Sequence, residues 1–160
     1  MHRLLVFTLV VLATSAPLAA QTSNATLSAD LGTIAKLSFS STTLSFADAD
    51  PDALAQIPAS GGPVTITAKA RASQGQIVVT VLANGNPRSG VNTLPADAFT
   101  WTATGVGFVA GTVSATTPQV VGSWTGSGVH VGSQTFLFRN SWAYPVGVYS
   151  MTLTYTLTTP

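Results

Sequence analysis

From Tyr149 to Thr158 the chain changes character at every step. Tyr149, Met151, Leu153, Tyr155 and Leu157 fall on one side of an extended backbone; Ser150, Thr152, Thr154, Thr156 and Thr158 fall on the other. A period of two marks a strand with one face on a core and one in water. The pattern recurs upstream. Val64, Ile66, Ala68 and Ala70 alternate with Thr65, Thr67, Lys69 and Arg71. Ile77, Val79 and Val81 alternate with Val78, Thr80 and Leu82, so this strand is largely apolar on both sides and belongs in the middle of a sheet. Residues 37–40 and 44–46 read as short strands joined at Ser41-Thr42, and residues 99–104, 106–113, 119–125 and 134–138 complete the set. Turn signals separate them at Asp50-Pro51, Gly61-Gly62-Pro63, Asn84-Gly85-Asn86-Pro87 and Tyr144-Pro145. No stretch has the apolar periodicity of a helix long enough for a βαβ unit. One short helical turn fits residues 52–56, ahead of Pro58. About eight to ten short strands with turns between them predict an all-β fold, an antiparallel immunoglobulin-like sandwich, with a closed barrel as the alternative.

Residues 1–20 read as a secretory signal peptide. Arg3 supplies the charged start, residues 4–13 form an apolar run broken only by Thr8, and Pro17-Leu18-Ala19-Ala20 offers small residues before Gln21. The run is shorter than the roughly 20 apolar residues that cross a bilayer. No later stretch is longer and apolar. The mature chain is therefore expected to be secreted, to the exterior, the cell surface or the periplasm, with no transmembrane segment. Residues 21–32 are expected to form an extended leader and residues 33–160 one sandwich domain. Asn24-Ala25-Thr26 fits the glycosylation sequon.

Past residues 1–20 the chain is chemically sparse. It has no Cys and no Glu, one histidine, His130, and five carboxylates: Asp30, Asp48, Asp50, Asp52 and Asp97. General acid–base and nucleophilic catalysis draw on those residue types, so the chain is not expected to be an enzyme or to carry a cofactor. Lys and Arg number 6, and with Arg3 removed five remain against 5 Asp, a formal net charge of zero. Nucleic acid needs a basic field and is excluded as a partner. A neutral surface also lacks the repulsion that keeps copies apart. Without Cys the fold has no disulfide staples, and it must hold by packing and strand pairing alone.

Four features carry candidate sites. Asp48, Asp50 and Asp52 lie at alternate positions around Pro51, and such carboxylates either converge on a calcium ion or decorate a solvated loop. His130 sits between Val129 and Val131. A triad needs it beside a serine such as Ser127 and an Asp, whereas a lone strand histidine is ordinarily structural. Gly105-x-Gly107 and Gly126-x-Gly128 superficially suggest a nucleotide loop, but no helix follows to hold a phosphate, so they mark bends or close sheet contacts. Trp101, Trp124 and Trp142, with Tyr144, Tyr149 and Tyr155, are either core aromatics or a platform for sugars. Trp142 and Tyr144, in the turn-like run Asn140–Pro145, are the candidates for ligand binding. Residues 101–106 also echo residues 124–129, each run opening on Trp and reaching Gly then Val, as two strands built alike would.

The ending from Gly147 to Pro160 resembles the last strand of WxL-type bacterial surface domains: a Gly-x-Tyr start, alternating Thr, and a terminal Pro, with Tyr155-Thr156-Leu157 standing where Trp-x-Leu is expected. It is also similar to the ending of spore-coat-U-like and other pilin-like secreted sandwiches. The resemblance implies a non-catalytic export product. WxL-type domains associate with cell-wall polymer, and pilin-like domains polymerise with like subunits by inserting an extended N-terminal segment into a neighbour's sheet. Residues 22–30 are long enough for that insertion. The functions expected are, in order, a structural or adhesive surface protein, a wall- or carbohydrate-binding module, and a polymerising subunit.

Overall fold

The computed structural model describes residues 25–72 and 74–160. Along the chain come β1 (Ile34–Phe39), β2 (Gln56–Pro58), β3 (Val64–Arg71), β4 (Gln76–Ala83), β5 (Arg88–Ser89), β6 (Asn92–Thr93), β7 (Phe99–Thr104), β8 (Gly111–Thr112), β9 (Gln119–Thr125), β10 (Gly128–Arg139) and β11 (Leu153–Thr158). They build two antiparallel sheets. The first runs β1-β3-β10-β7-β8, with β2 paired to the end of β10; the second runs β11-β4-β9. β5 and β6 form a small separate ribbon. No helix among the described residues is long and apolar enough to cross a membrane. The chain divides after Asp30: Leu31–Pro160 is one unit, and residues 25–30 of the other form no strand.

The alternation in sequence becomes the two walls of the core. β3 buries Val64, Ile66, Ala68 and Ala70, and β4 buries Ile77, Val79, Val81 and Ala83. The outer residues of β4, Val78, Thr80 and Leu82, are still half-buried, as its central place between β9 and β11 requires. Trp101 and Phe136 from the first sheet meet Val121 and Trp124 from the second in one cluster. On β9 the register slips against Val79 and Thr80, so that Val121 is an extra residue between Gly122 and Val120. The bulge turns Val121 inward while keeping Trp124 inward as well.

Two of the corners where the chain crosses between sheets, β3 to β4 and β9 to β10, are tied together. The Ala72 amide donates to Ser127 Oγ at 3.0 Å, the same hydroxyl donates to the Ala72 carbonyl at 2.9 Å, and the Gly126 amide donates to the Gly75 carbonyl at 3.3 Å.

Several elements differ from the sequence expectation. The C-terminal strand is shorter, β11 starting at Leu153. Its partner β4 ends at Ala83, and Asn84 caps the ladder by taking the Thr152 amide on its side-chain oxygen at 2.9 Å. Residues 52–56 form no helix. Their turn stops because Asn140 claims the next carbonyls: its side-chain amide donates to Leu54 and its backbone N–H to Ala55. Among the described residues the one short helix is a 3-10 turn at Ala96–Ala98, behind Pro95. Residues 44–46 contribute only the isolated pairing of Ser45 with Ser60. Residues 106–113 form not a strand but a strap with β8 at its end.

Candidate functional site

The sandwich has two unlike margins. Along one, the strap between β7 and β8 closes the gap between sheets. Its Phe108 pairs with Gly122 of β9, the Val109 amide donates to the Val121 carbonyl at 2.9 Å, and the Ser123 amide donates to the Gly107 carbonyl at 3.0 Å. The strap then returns to the first sheet, where Gly111 pairs with Trp101. One tryptophan from each sheet grips it. Trp101, 2% exposed, donates its indole N–H to the Val109 carbonyl at 2.9 Å; Trp124, 8% exposed, donates to the Val106 carbonyl at 2.7 Å. The glycines make room for these rings. A Cβ on Gly107 or Gly122 would strike Trp124, one on Gly111 would strike Trp101, and one on Gly132 would strike Phe108. Gly107 also holds φ +80°, a left-handed conformation that L side chains resist. Of the glycines that superficially suggest a nucleotide loop, Gly107 is thus a seat for the Trp124 ring, Gly128 lies against the His130 ring, Gly105 packs on the Val131–Gly132 backbone, and Gly126 takes a left-handed turn with open space beside it.

His130 belongs to this margin. Its ring stacks on Trp124 with centroids 4.4 Å apart and planes 12° apart, while Phe108 meets Trp124 edge-on at 4.8 Å. Burial lowers its pKa below the ordinary 6.5. Nε2 is buried with no hydrogen-bond partner, and the hydroxyl of Ser127 is engaged with Ala72. His130, Ser127 and an Asp do not assemble. Two open depressions mark the surface, one lined by Asn84, Asn86, Arg88 and Thr152, the other by Asp97, Ser114, Thr116 and Gln119. Neither brings a histidine or a second carboxylate to a hydroxyl.

The opposite margin is open. β1 pairs only with β3, and β11 only with β4, among the described residues. Leu37, Phe39, Leu153, Tyr155 and Leu157 pack on the core from these two edges but stay half-buried. Phe39 and Tyr155 touch across the gap at 4.8 Å. Tyr155 reaches inward and donates its hydroxyl to Gln134 Oε1 at 2.7 Å, and burial pushes its phenol well above the ordinary value. Gln134 is the buried polar residue of the core, at 0% exposure, and its Nε2 lacks a partner. This apolar, unpaired margin is the candidate functional site. The sequence shows its residues as the inward face of two strands but not that both strands end their sheets on the same side.

The candidate calcium ligands lie in a surface loop. Asp48, Asp50 and Asp52 are all exposed. Asp50 Oδ1 accepts from the Asp52 amide at 2.9 Å, and Asp52 Oδ1 accepts from Trp142 Nε1 at 3.1 Å. The two carboxylates are drawn to different donors, and no group of three Asp, Glu, His or Cys placed to hold a metal occurs among the described residues. Trp142 itself is 71% exposed. Tyr144 is half-buried, stacked on Phe138 at 5.9 Å and 30°. Arg139, beside the Tyr144 hydroxyl and paired with Asp97 at 3.3 Å, is held above the usual guanidinium value. Asn24 of the sequon and the residues assigned to the signal peptide lie outside the described residues.

In comparison with known proteins, no family model and no curated protein matches the chain.

Proposed function

We propose that the chain is a secreted, non-catalytic structural protein of the bacterial cell surface, and that its copies join by strand addition at the open margin. The observation that carries this reading is the pair of edges β1 and β11, which lie on one side of the sandwich with half-buried apolar residues between them. An exposed strand edge is a template for pairing, and soluble proteins ordinarily blunt or cover it. Lys36 is the one charge on β1, and β11 has none. The addition of one extended segment satisfies the backbone groups of an edge and buries alternate side chains at once. The chain offers such a segment in its leader. Residues 25–33 form no strand, Leu27 and Leu31 are exposed, and that stretch reaches about 30 Å at ~3.3 Å per residue, longer than β11. The resemblance of the C-terminal strand to pilin-like secreted sandwiches supports the same reading, and so does the lack of charge repulsion.

Light scattering on size-exclusion fractions over a concentration series tests it. The chain from Gln21 forms oligomers that grow with concentration. Deletion of residues 21–32 leaves a folded monomer, and a free peptide of that sequence binds the deleted form one to one. A chain from Gln21 that stays monomeric at every concentration overturns the proposal.

A further inference from the structure

The loop that carries Trp142 is built to hold an aromatic ring still while leaving its face in water. Asn140 pins it to the loop after Phe46 with three bonds: its side-chain amide donates to Ala49 at 2.8 Å and to Leu54 at 3.3 Å, and its backbone N–H to Ala55 at 2.9 Å. Ser141 closes the turn, its hydroxyl accepting from the Ala143 amide at 3.2 Å and its carbonyl from the Tyr144 amide at 3.2 Å. Asp52 then takes the Trp142 indole N–H at 3.1 Å. These bonds fix the ring's orientation, yet 71% of the residue remains exposed. The other two tryptophans are buried on seats of glycine. A tryptophan locked by its polar edge and bare on its face has paid its ordering entropy before any ligand arrives.

We propose that Trp142 is a stacking platform for a neutral, equatorially linked glycan chain, with Asp52 as its positioning residue. The chemistry at the rim selects that ligand. A pyranose presents a flat C–H face to an aromatic ring and radiates hydroxyl donors around it. An ionised carboxylate only accepts hydrogen bonds, so Asp52, held against the ring's N–H, suits a ligand that donates to its second oxygen. The same carboxylate, exposed on the loop with Asp48 and Asp50, repels anionic lipid headgroups and acidic sugars. Arg139, the nearest cation in sequence, is already paired with Asp97. This reading concerns a surface loop and stands apart from the strand-addition proposal.

The test uses cellohexaose as the neutral chain and polygalacturonate as the acidic contrast, with the chain from Gln21 lacking no other segment. Trp142 is the exposed tryptophan, so cellohexaose blue-shifts the emission and lowers its quenching by acrylamide, and calorimetry gives the affinity. Trp142→Ala weakens binding at least about tenfold, about 1.4 kcal/mol, while the melting temperature stays near the native one. Asp52→Ala weakens it less, because the ring is present but free to turn, and Asp52→Asn, which keeps an oxygen acceptor for the indole, restores it. Polygalacturonate binds more weakly than cellohexaose in every variant. The proposal is overturned if the native chain shows no saturable binding of cellohexaose, if Trp142→Ala binds as well as native, or if the acidic polymer binds as tightly as the neutral one. Asp52→Asn behaving like Asp52→Ala removes the positioning role.

Discussion

The two margins of this sandwich face the same physical problem and solve it oppositely. Each is a place where two sheets end and leave a seam between layers. At the β7–β9 side a glycine-rich strap crosses the seam, two indoles from opposite sheets donate to its carbonyls, and the rings lie directly on backbone. At the β1–β11 side nothing in the described body crosses. Phe39 and Tyr155 meet, the apolar side chains are half-covered, and the edges keep unpaired backbone. The difference teaches that the fold seals one seam with backbone and buried rings and leaves the other as two unpaired strand edges with half-buried apolar side chains. Closure by aromatic rings on glycine requires the absence of side chains at fixed points, and so it fixes sequence. The open side requires only apolar alternation.

Four experiments press on that contrast, beginning with the largest effect. Trp124→Ala removes a buried ring and one grip on the strap, and is expected to cost about 3–5 kcal/mol in urea unfolding. Leu157→Ala on the open side should cost about 1 kcal/mol, since its side chain is only partly withdrawn from water. Equal losses at the two positions would erase the distinction. Gly107→Ala forces a Cβ against Trp124 at φ +80° and is expected to destabilise by about 2–4 kcal/mol through strain and overpacking together. A neutral result there means the strap can shift without harm. Tyr155→Phe takes the hydroxyl from Gln134 and leaves both ends of a buried amide unsatisfied. The expected loss is about 1–2 kcal/mol, with no effect on the strap as read from Trp101 and Trp124 emission.

The smallest effect is a pH dependence. Burial depresses the pKa of His130 in the folded chain below 6.5. The unfolded chain therefore takes up the proton first as pH falls. The contribution of neutral His130 to stability is complete above pH 6.5 and is lost as pH drops from there through the lower folded value. His130→Phe, which keeps a flat ring on Trp124, should flatten the unfolding free energy over that window. A native curve and a variant curve with the same slope would remove the histidine from the account.

The sequence made the walls of the core legible and hid the way they are joined. β3 and β9 have the limits that the alternation predicts, because no glycine interrupts the pattern at the inward positions of β3. β10 does not. Its first half reads inward as Gly128, His130, Gly132 and Gln134, and outward as Val129, Val131, Ser133 and Thr135. The apolar residues there are the exposed ones, since the inward space is taken by the rings of Phe108 and Trp124 arriving from elsewhere. Periodicity names the wrong face when a neighbour's ring replaces the residue's own side chain. The repeated Trp-to-Gly-Val pattern at 101 and 124 was the available signal for the clamp. It looks like two strands built alike, and what it encodes is two sides of one grip. The open margin was legible in composition but not in place: Leu37, Phe39, Tyr155 and Leu157 all read as inward residues, and only the strand order puts them side by side. The turn at 50–54 likewise depends on Asn140, far along the chain, whose claim on two carbonyls no local pattern records.

The clamp is made of indole, carbonyl and glycine, and the chain has no sulfur crosslink. Its making and unmaking therefore need neither oxidant nor reductant. A molecule stapled this way keeps the same joints in a reducing or an oxidising medium alike, with no enzyme to pair its residues.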